Sequence, residues 1–116
     1  MRPSEFLAWQ WSNYSTAHRN KTNLVIHLIA VPLFMYATVL LLYSLFFLSF
    51  WALLGAIVCL AVSLALQGRG HRLEQTQPAP FKNRADFVWR LITENWITFP
   101  RFVISGNWSR NLRDAK

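Results

Sequence analysis

A stretch of 47 residues without any Asp, Glu, Lys or Arg, from Thr22 to Gly68, limits most strongly what this chain can fold into. The twelve Lys and Arg and the five Asp and Glu residues all lie in the two flanks of this stretch. A soluble domain carries charge on every exposed face, and a disordered chain is poor in hydrophobic residues, whereas 53% of this chain is hydrophobic. The pattern excludes both classes and indicates one membrane domain, residues 1–116.

The apolar part of this stretch, Leu24 to Leu66, is too long for a single membrane crossing. As one helix its 43 residues would measure roughly 65 Å, whereas a crossing needs about 20 residues. The sequence therefore predicts a helical hairpin with spans near 24–43 and 47–66 and a turn around 43–49. The predicted fold class is all-α, an integral membrane hairpin with amphipathic flanking helices.

The distribution of charge predicts the topology of this hairpin. Cationic residues lie on both flanks and none lies in the turn, so the positive-inside rule places both termini in the cytoplasm, at the inner membrane if the source is bacterial. The same rule accounts for the net charge of +7, and no Lys/Arg run or nucleic-acid module occurs, so we expect no nucleic-acid partner. The single cysteine, Cys59, excludes an internal disulfide. A homodimer is compatible with so small a fold.

Both flanks contain a segment with the pattern of an amphipathic helix. Over residues 84–104, apolar side chains fall on one half of a helical wheel and charged ones, including Arg90 and Glu94, on the other, with Ile97 as the misfit. Such a helix packs either on lipid or on the spans, and Pro100 should kink or end it. A shorter helix of the same kind is expected over 4–16.

The three histidines of the chain all lie near the open end of the predicted hairpin. His18 precedes the first span, His27 lies about one turn inside it, and His71 follows the second span. An ionisable group inside a span usually faces a partner or a cavity. His18 and His27 would lie about 180° apart on one continuous helix. To meet, they need a bend between them, or His18 must come from a separate helix.

The polar segment 67–83 adds a carboxylate to these histidines. His71 and Glu74 are three residues apart, so on a helix both side chains could share one ion. Three imidazoles and a carboxylate suit Fe(II), with Zn(II) as the alternative, and Glu74 is either a ligand or a group that orients one. No Gly-rich phosphate loop and no nucleophile elbow occurs. Two other functions stay open: a non-enzymatic membrane protein whose His/Glu cluster is structural or binds lipid headgroups, and a haem-binding subunit.

Two motifs in this region resemble a known protein family. The first block is Tyr14-x3-His18-x4-Asn23-x3-His27-x4-Pro32, and the second is Gly70-His71-x2-Glu74-x3-Pro78-Ala79. In this order, on either side of a hydrophobic hairpin, they resemble the small integral-membrane family of the fungal iron(II)-dependent 2-hydroxy-fatty-acid dioxygenase. That family has many bacterial members, formerly filed as a domain of unknown function.

The resemblance implies an enzyme with an Fe(II) site. The implied catalytic and metal-binding residues are His18, His27, His71 and Glu74. The implied reaction is fatty acid α-oxidation, in which O2 shortens a 2-hydroxy fatty acid by one carbon. The implied partners are therefore membrane lipid, O2 and a 2-hydroxy fatty acid or similar lipid.

The resemblance also suggests supporting roles around this site. Tyr14 and Asn23 would orient His18 and His27. Independently of the resemblance, four cations near the mouth of the hairpin are either candidates to bind the substrate carboxylate or solvated membrane anchors: Arg19, Lys21, Arg69 and Arg72.

Overall fold

The computed structural model describes residues 2–115, and every regular element in this part of the chain is helical. In chain order the elements are α1 (Pro3–Tyr14), α2 (Lys21–Phe46), α3 (Phe50–Arg72), α4 (Arg84–Thr93), a π-helical segment (Glu94–Thr98), α5 (Phe99–Ile104) and α6 (Asn107–Asp114). The predicted all-α class is confirmed.

Local sequence explains where three of these helices begin. Asn20, Ser49 and Asn83 precede α2, α3 and α4, and the side-chain oxygen of each accepts a hydrogen bond from the backbone N–H three residues later. Short polar side chains at this position satisfy a backbone donor that the helix itself leaves free. The caps fix the start of each helix that borders the histidines.

The hairpin formed by α2 and α3 has a tighter turn than the sequence predicts. Only residues 47–49 separate the two helices, and Leu48 takes a left-handed backbone conformation with φ of 51°. The N–H of Ser49 donates to the Ser44 carbonyl at 2.9 Å, the long bond of a Schellman ending. Glycine normally occupies the left-handed position, so sequence alone gave no marker for this turn.

Small residues bring α2 and α3 close together. Ala30, Ala37, Ala56 and Ser63 are completely buried. The Ser63 hydroxyl donates to the Ala30 carbonyl at 2.6 Å, so the polar group is satisfied across the interface. Small side chains of this kind allow close approach of helices in membranes.

The outer surfaces of α2 and α3 are apolar and uncovered. Both helices are long and apolar enough to cross a membrane. Large side chains such as Leu42, Phe46 and Trp51 are 67%, 81% and 78% exposed. In water a surface of this size would promote aggregation.

The segment 84–104 forms a helix whose two faces have different environments. Phe99 and Phe102 are buried and pack with residues of α1 and α2. Val88 and Ile92, four residues apart, are exposed. The indole of Trp96 donates to Thr38 of α2 at 3.0 Å. Of the two expected surfaces for this helix, the spans therefore contact Phe99, Phe102 and Trp96, whereas Val88 and Ile92 remain exposed.

Candidate metal centre

The structure brings the three histidines together from three different segments. His18 lies in the connection between α1 and α2, His27 in the second turn of α2, and His71 in the last turn of α3. The centroids of their rings are 4.9 to 5.0 Å apart. The bend that the sequence requires between His18 and His27 is present, because the chain leaves α1 after Tyr14 and α2 begins only at Lys21.

Hydrogen bonds from two of the imidazoles define which nitrogen carries hydrogen. The Nδ1 atom of His18 lies 2.7 Å from the Tyr14 carbonyl oxygen, and that of His27 lies 3.1 Å from the Asn23 carbonyl oxygen. A carbonyl oxygen can only accept, so each neutral ring carries its hydrogen on Nδ1. The lone pair of each Nε2 atom then points into the cluster. Both Nε2 atoms are buried and have no hydrogen-bond partner within residues 2–115.

The carboxylate that faces these imidazoles belongs to Glu94. Its Oε2 atom lies 3.7, 3.5 and 3.9 Å from the Nε2 atoms of His18, His27 and His71. One ligand atom from each of the four residues lies within 4.8 Å of every other. We call these four residues the His–Glu cluster.

Glu94 continues the regular register of α4, since its N–H donates to the Arg90 carbonyl, and like Arg90 it faces the cavity. A π-helical turn begins at Glu94. The N–H of Phe99 donates to the Glu94 carbonyl, five residues back, so this turn contains one extra residue. Sequence analysis placed Glu94 on an outward polar face, and this placement was wrong. The misfit of Ile97 on the helical wheel signals the π-helical turn, because an inserted residue shifts the face that each later side chain occupies.

Glu74, which was expected in the ion site, lies outside the His–Glu cluster. Helix α3 ends at Arg72, so the helical spacing that would align Glu74 with His71 is lost. Its carboxylate instead accepts the backbone N–H groups of Arg19 and Asn20 at 2.9 and 3.0 Å and the Asn23 side-chain amide at 2.6 Å. An anion is favoured there because Asn20 caps the positive end of α2. Glu74 therefore ties the end of α3 to the segment that carries His18.

Asn23 and Gly70 form a close contact beside this tie. A Cβ atom at Gly70 would lie 2.1 Å from Oδ1 of Asn23, a distance that no side chain tolerates. The backbone carbonyl of Asn23 holds His27, and its side chain binds Glu74. A glycine is thus required at position 70, because Asn23 of the first motif occupies the space that a side chain of the second motif would need.

Tyr14 contacts two members of the His–Glu cluster. Its hydroxyl donates to Oε2 of Glu94 at 2.9 Å, its carbonyl accepts from His18, and its ring stacks on that of His18 at 3.8 Å. Burial, with the Glu94 charge as a further cause, raises the pKa of Tyr14 well above its usual value. The phenol therefore stays a hydrogen donor at any physiological pH.

The charge state of Glu94 is set by opposing effects. Burial alone would raise its pKa, but hydrogen bonds and charge from the imidazoles of His18 and His27, which require a proton on each Nε2 atom, outweigh it and hold the pKa of Glu94 well below its usual value. The carboxylate is consequently ionised at neutral pH. An ionised carboxylate facing two inward lone pairs is a repulsive arrangement unless a proton or a cation lies between them.

The His–Glu cluster meets the requirements of a metal site. Metal–nitrogen bonds of about 2.1 Å place neighbouring ligand atoms about 3 to 3.5 Å apart. The carboxylate–imidazole separations here are 3.5 to 3.9 Å and all four ligand atoms lie within 4.8 Å, so a small contraction around an ion would reach that range. The orphaned Nε2 atoms are the expected donors, and the two carbonyl oxygens that hold Nδ1 act as the outer partners typical of such sites. The residues present therefore fit a bound metal ion.

A cavity of about 310 Å³ adjoins the cluster, and His18, His71 and Glu94 form part of its wall. The other walls come from α1, α3 and α4, and from the connection after α3. None of the expected carboxylate-binding cations lines this cavity among the described residues: Arg19, Lys21, Arg69 and Arg72 lie elsewhere. The cation that lines it is Arg90, which the sequence placed on a solvent-facing side.

Comparison with known proteins agrees with the motifs. No curated protein and no solved structure gives a significant match. One family model matches residues 5–104, a region that runs from the first turn of α1 to the end of α5 and contains all four residues of the His–Glu cluster. The chain therefore belongs to the family described as 2-hydroxy-palmitic acid dioxygenase Mpo1-like.

Proposed function

We propose that this protein is a membrane-embedded, non-haem iron(II) dioxygenase that shortens 2-hydroxy fatty acids by one carbon. The observation that carries the proposal is the His–Glu cluster, in which two buried Nε2 lone pairs face an ionised carboxylate. Family membership supports the reaction class and makes 2-hydroxy-palmitic acid the first substrate to try.

In this proposal His18, His27, His71 and Glu94 hold the metal ion. Bound Fe(II) supplies the activation of O2 for oxidation at the hydroxyl-bearing carbon. Zn(II) suits the same ligands but supplies no redox chemistry, so identification of the metal separates an oxygenase from a structural or hydrolytic site.

The chain itself orients the ligands and shields the reaction. Tyr14 keeps one oxygen of Glu94 in place, and the side chains of Glu94 and His71 remain 14% and 17% exposed towards the cavity. Aromatic and aliphatic side chains line most of the remaining wall and make it largely apolar. The overall reaction balances without an added reductant, because R–CH(OH)–COOH and O2 give R–COOH, CO2 and water.

The membrane has a direct role in this proposal. We infer that α2 and α3 cross the bilayer and that both termini lie in the cytoplasm. The exposed apolar surface of these helices supports insertion. A fatty acid already dissolved in the bilayer then reaches the cavity without entering water.

The test is turnover of 2-hydroxy-palmitic acid by the purified protein in detergent with Fe(II). We expect O2 consumption coupled to formation of the acid one carbon shorter, and loss of both in His27→Ala. Glu5→Gln, at an exposed carboxylate far from the cluster, is the control that should keep full activity. Absence of turnover in metal-loaded wild-type protein would contradict the proposal and favour a structural or headgroup-binding role for the cluster.

A further inference from the structure

The cavity beside the His–Glu cluster is bordered by a cation on one helix and by an apolar gap on another. On α4, Arg90 precedes Glu94 by four residues, about 6 Å along the helix axis. On α3, Gly68 and Leu64 precede His71 by three and seven residues, about 5 and 10 Å. All of these residues line the same cavity.

The guanidinium of Arg90 is held in a fixed position at this cavity. It lies 4.2 Å from the Phe81 ring and 5.3 Å from the Trp9 ring, and the Arg90 side chain is only 11% exposed. Two of its N–H groups donate to the carbonyls of Ala79 and Pro80 at 2.8 and 3.2 Å, and its Nη1 atom lies 3.5 Å from Oδ2 of Asp86, a carboxylate that does not line the cavity. A guanidinium has five N–H donors, so others remain for an anionic ligand.

At Gly68 the wall of the cavity on the membrane side has no side chain. Gly68 is exposed, and a Cβ atom at this position would meet no atom within 4 Å. The buried Gln67 lies beside it in the cavity wall, and Leu64, one turn from Gly68, lies deeper in a helix that is long and apolar enough to cross a membrane. The side of the cavity formed by α3 is therefore bordered by an apolar gap one turn from His71.

We propose that the cavity binds a 2-hydroxy fatty acid in one orientation, with the carboxylate at Arg90 and the acyl chain leaving over Gly68 and Leu64 into the bilayer. This inference rests on the proposed function for the identity of the ligand. About 310 Å³ is near the lower limit for small-molecule sites. The cavity holds the head and the first carbons, and the rest of a long chain must lie outside it.

The proposed position of the carboxylate is tested with an acid and its ester. Binding of 2-hydroxy-palmitic acid and of its methyl ester to the purified protein is measured by calorimetry in detergent. Wild-type protein should prefer the acid by about tenfold or more, since a charge-assisted hydrogen bond is lost in the ester. Arg90→Gln should bind both alike, and Arg90→Lys should keep part of the preference.

Arg90 also holds the connection after α3, so its replacement could unfold that connection. The ratio of the affinities for acid and ester separates this effect from the loss of a contact to the carboxylate. Damage to that connection would weaken the binding of acid and ester together and leave the preference unchanged. Arg101→Gln is the matched control, because Arg101 stacks on Trp11 and does not line the cavity. An unchanged preference in Arg90→Gln would overturn the assignment of the head.

The tail is tested with two chain lengths. Gly68→Leu should weaken binding of 2-hydroxy-palmitic acid by about tenfold while 2-hydroxyoctanoic acid, which need not leave the cavity as far, loses much less. Val62→Leu adds a methylene group to an exposed position of α3 outside the cavity and should change neither affinity. Equal losses for both chain lengths would overturn the proposed path of the tail.

These binding measurements are separable from the proposed reaction. If the wild-type protein and variants show the expected preferences but no turnover occurs, the orientation stands and the dioxygenase proposal fails. If turnover occurs, but Arg90→Gln still prefers the acid and Gly68→Leu leaves the relative affinity for the two chain lengths unchanged, the dioxygenase proposal stands and the orientation fails. If the wild-type protein binds neither acid, both fail.

Discussion

Replacement of Glu94 by glutamine tests which carboxylate belongs to the metal site. The substitution keeps the shape of the side chain and an oxygen for the Tyr14 hydroxyl, but it removes the charge that faces the three imidazoles. Loss of even an outer partner of a metal ligand lowers metal affinity by about 10- to 100-fold. For Glu94→Gln, which loses a charged ligand, we expect a decrease of about 100-fold or more.

The corresponding change in thermal stability can be worked out. Metal at about 100 times its Kd stabilises the native state by about 2.7 kcal/mol. For a chain of this size that corresponds to a rise in Tm of about 10 °C. After a 100-fold loss of affinity, the same metal concentration equals the Kd, and the stabilisation falls to about 0.4 kcal/mol, or about 2 °C.

The assay compares Tm with metal and with a strong chelator in mild detergent. Glu74→Gln is the matched control, because Glu74 holds backbone and amide N–H groups and no member of the cluster. It should lower Tm in both conditions and leave the metal-dependent difference intact. A full metal-dependent difference in Glu94→Gln, or its loss in Glu74→Gln alone, would refute the assignment of Glu94 to the site.

Three further predictions concern the residues around the cluster. Gly70→Ala should destabilise the protein by about 1 to 3 kcal/mol, because the new methyl group overlaps Asn23. The control Gly68→Ala, whose methyl group meets no atom, should not destabilise it, and chemical or thermal unfolding measures both. Tyr14→Phe should lower metal affinity by about 10-fold or more, since Glu94 loses its hydrogen-bond donor, and a competition titration with a chelating dye measures this; an unchanged affinity would contradict the role. Because the folded-state pKa of Glu94 is lowered, its contribution to stability is present above its unfolded pKa of about 4.3 and is lost as the pH falls through the folded value. Tm measured against pH should therefore fall more steeply in acid for wild type than for Glu94→Gln, and parallel curves would contradict it.

The sequence was sufficient for the hairpin because the signal is long and unambiguous. An uncharged stretch from Thr22 to Gly68 has few folds open to it, and the hairpin topology alone brings its two ends to one face. The meeting of His18, His27 and His71 follows from that topology. The turn was placed too broadly because Leu48 occupies a position where glycine is the usual marker.

The carboxylate of the cluster could not be read from the same pattern. Glu74 has the right spacing from His71 only if α3 continues, and the helix ends one turn too early. Glu94 lies far along the chain, and a regular helical wheel turns it outwards. In the structure the side of α4 that carries Arg90 and Glu94 faces the cavity, and after the π-helical turn Phe99 and Phe102 are buried as well.

The central claim is that His18, His27, His71 and Glu94 bind iron, and metal content tests it most directly. Protein without histidine tags, purified in mild detergent without chelator, is analysed for metals beside His27→Ala. The account predicts close to one iron per wild-type chain and little in the variant. Equal metal content in both proteins, or none in either after anaerobic loading with Fe(II), would contradict it.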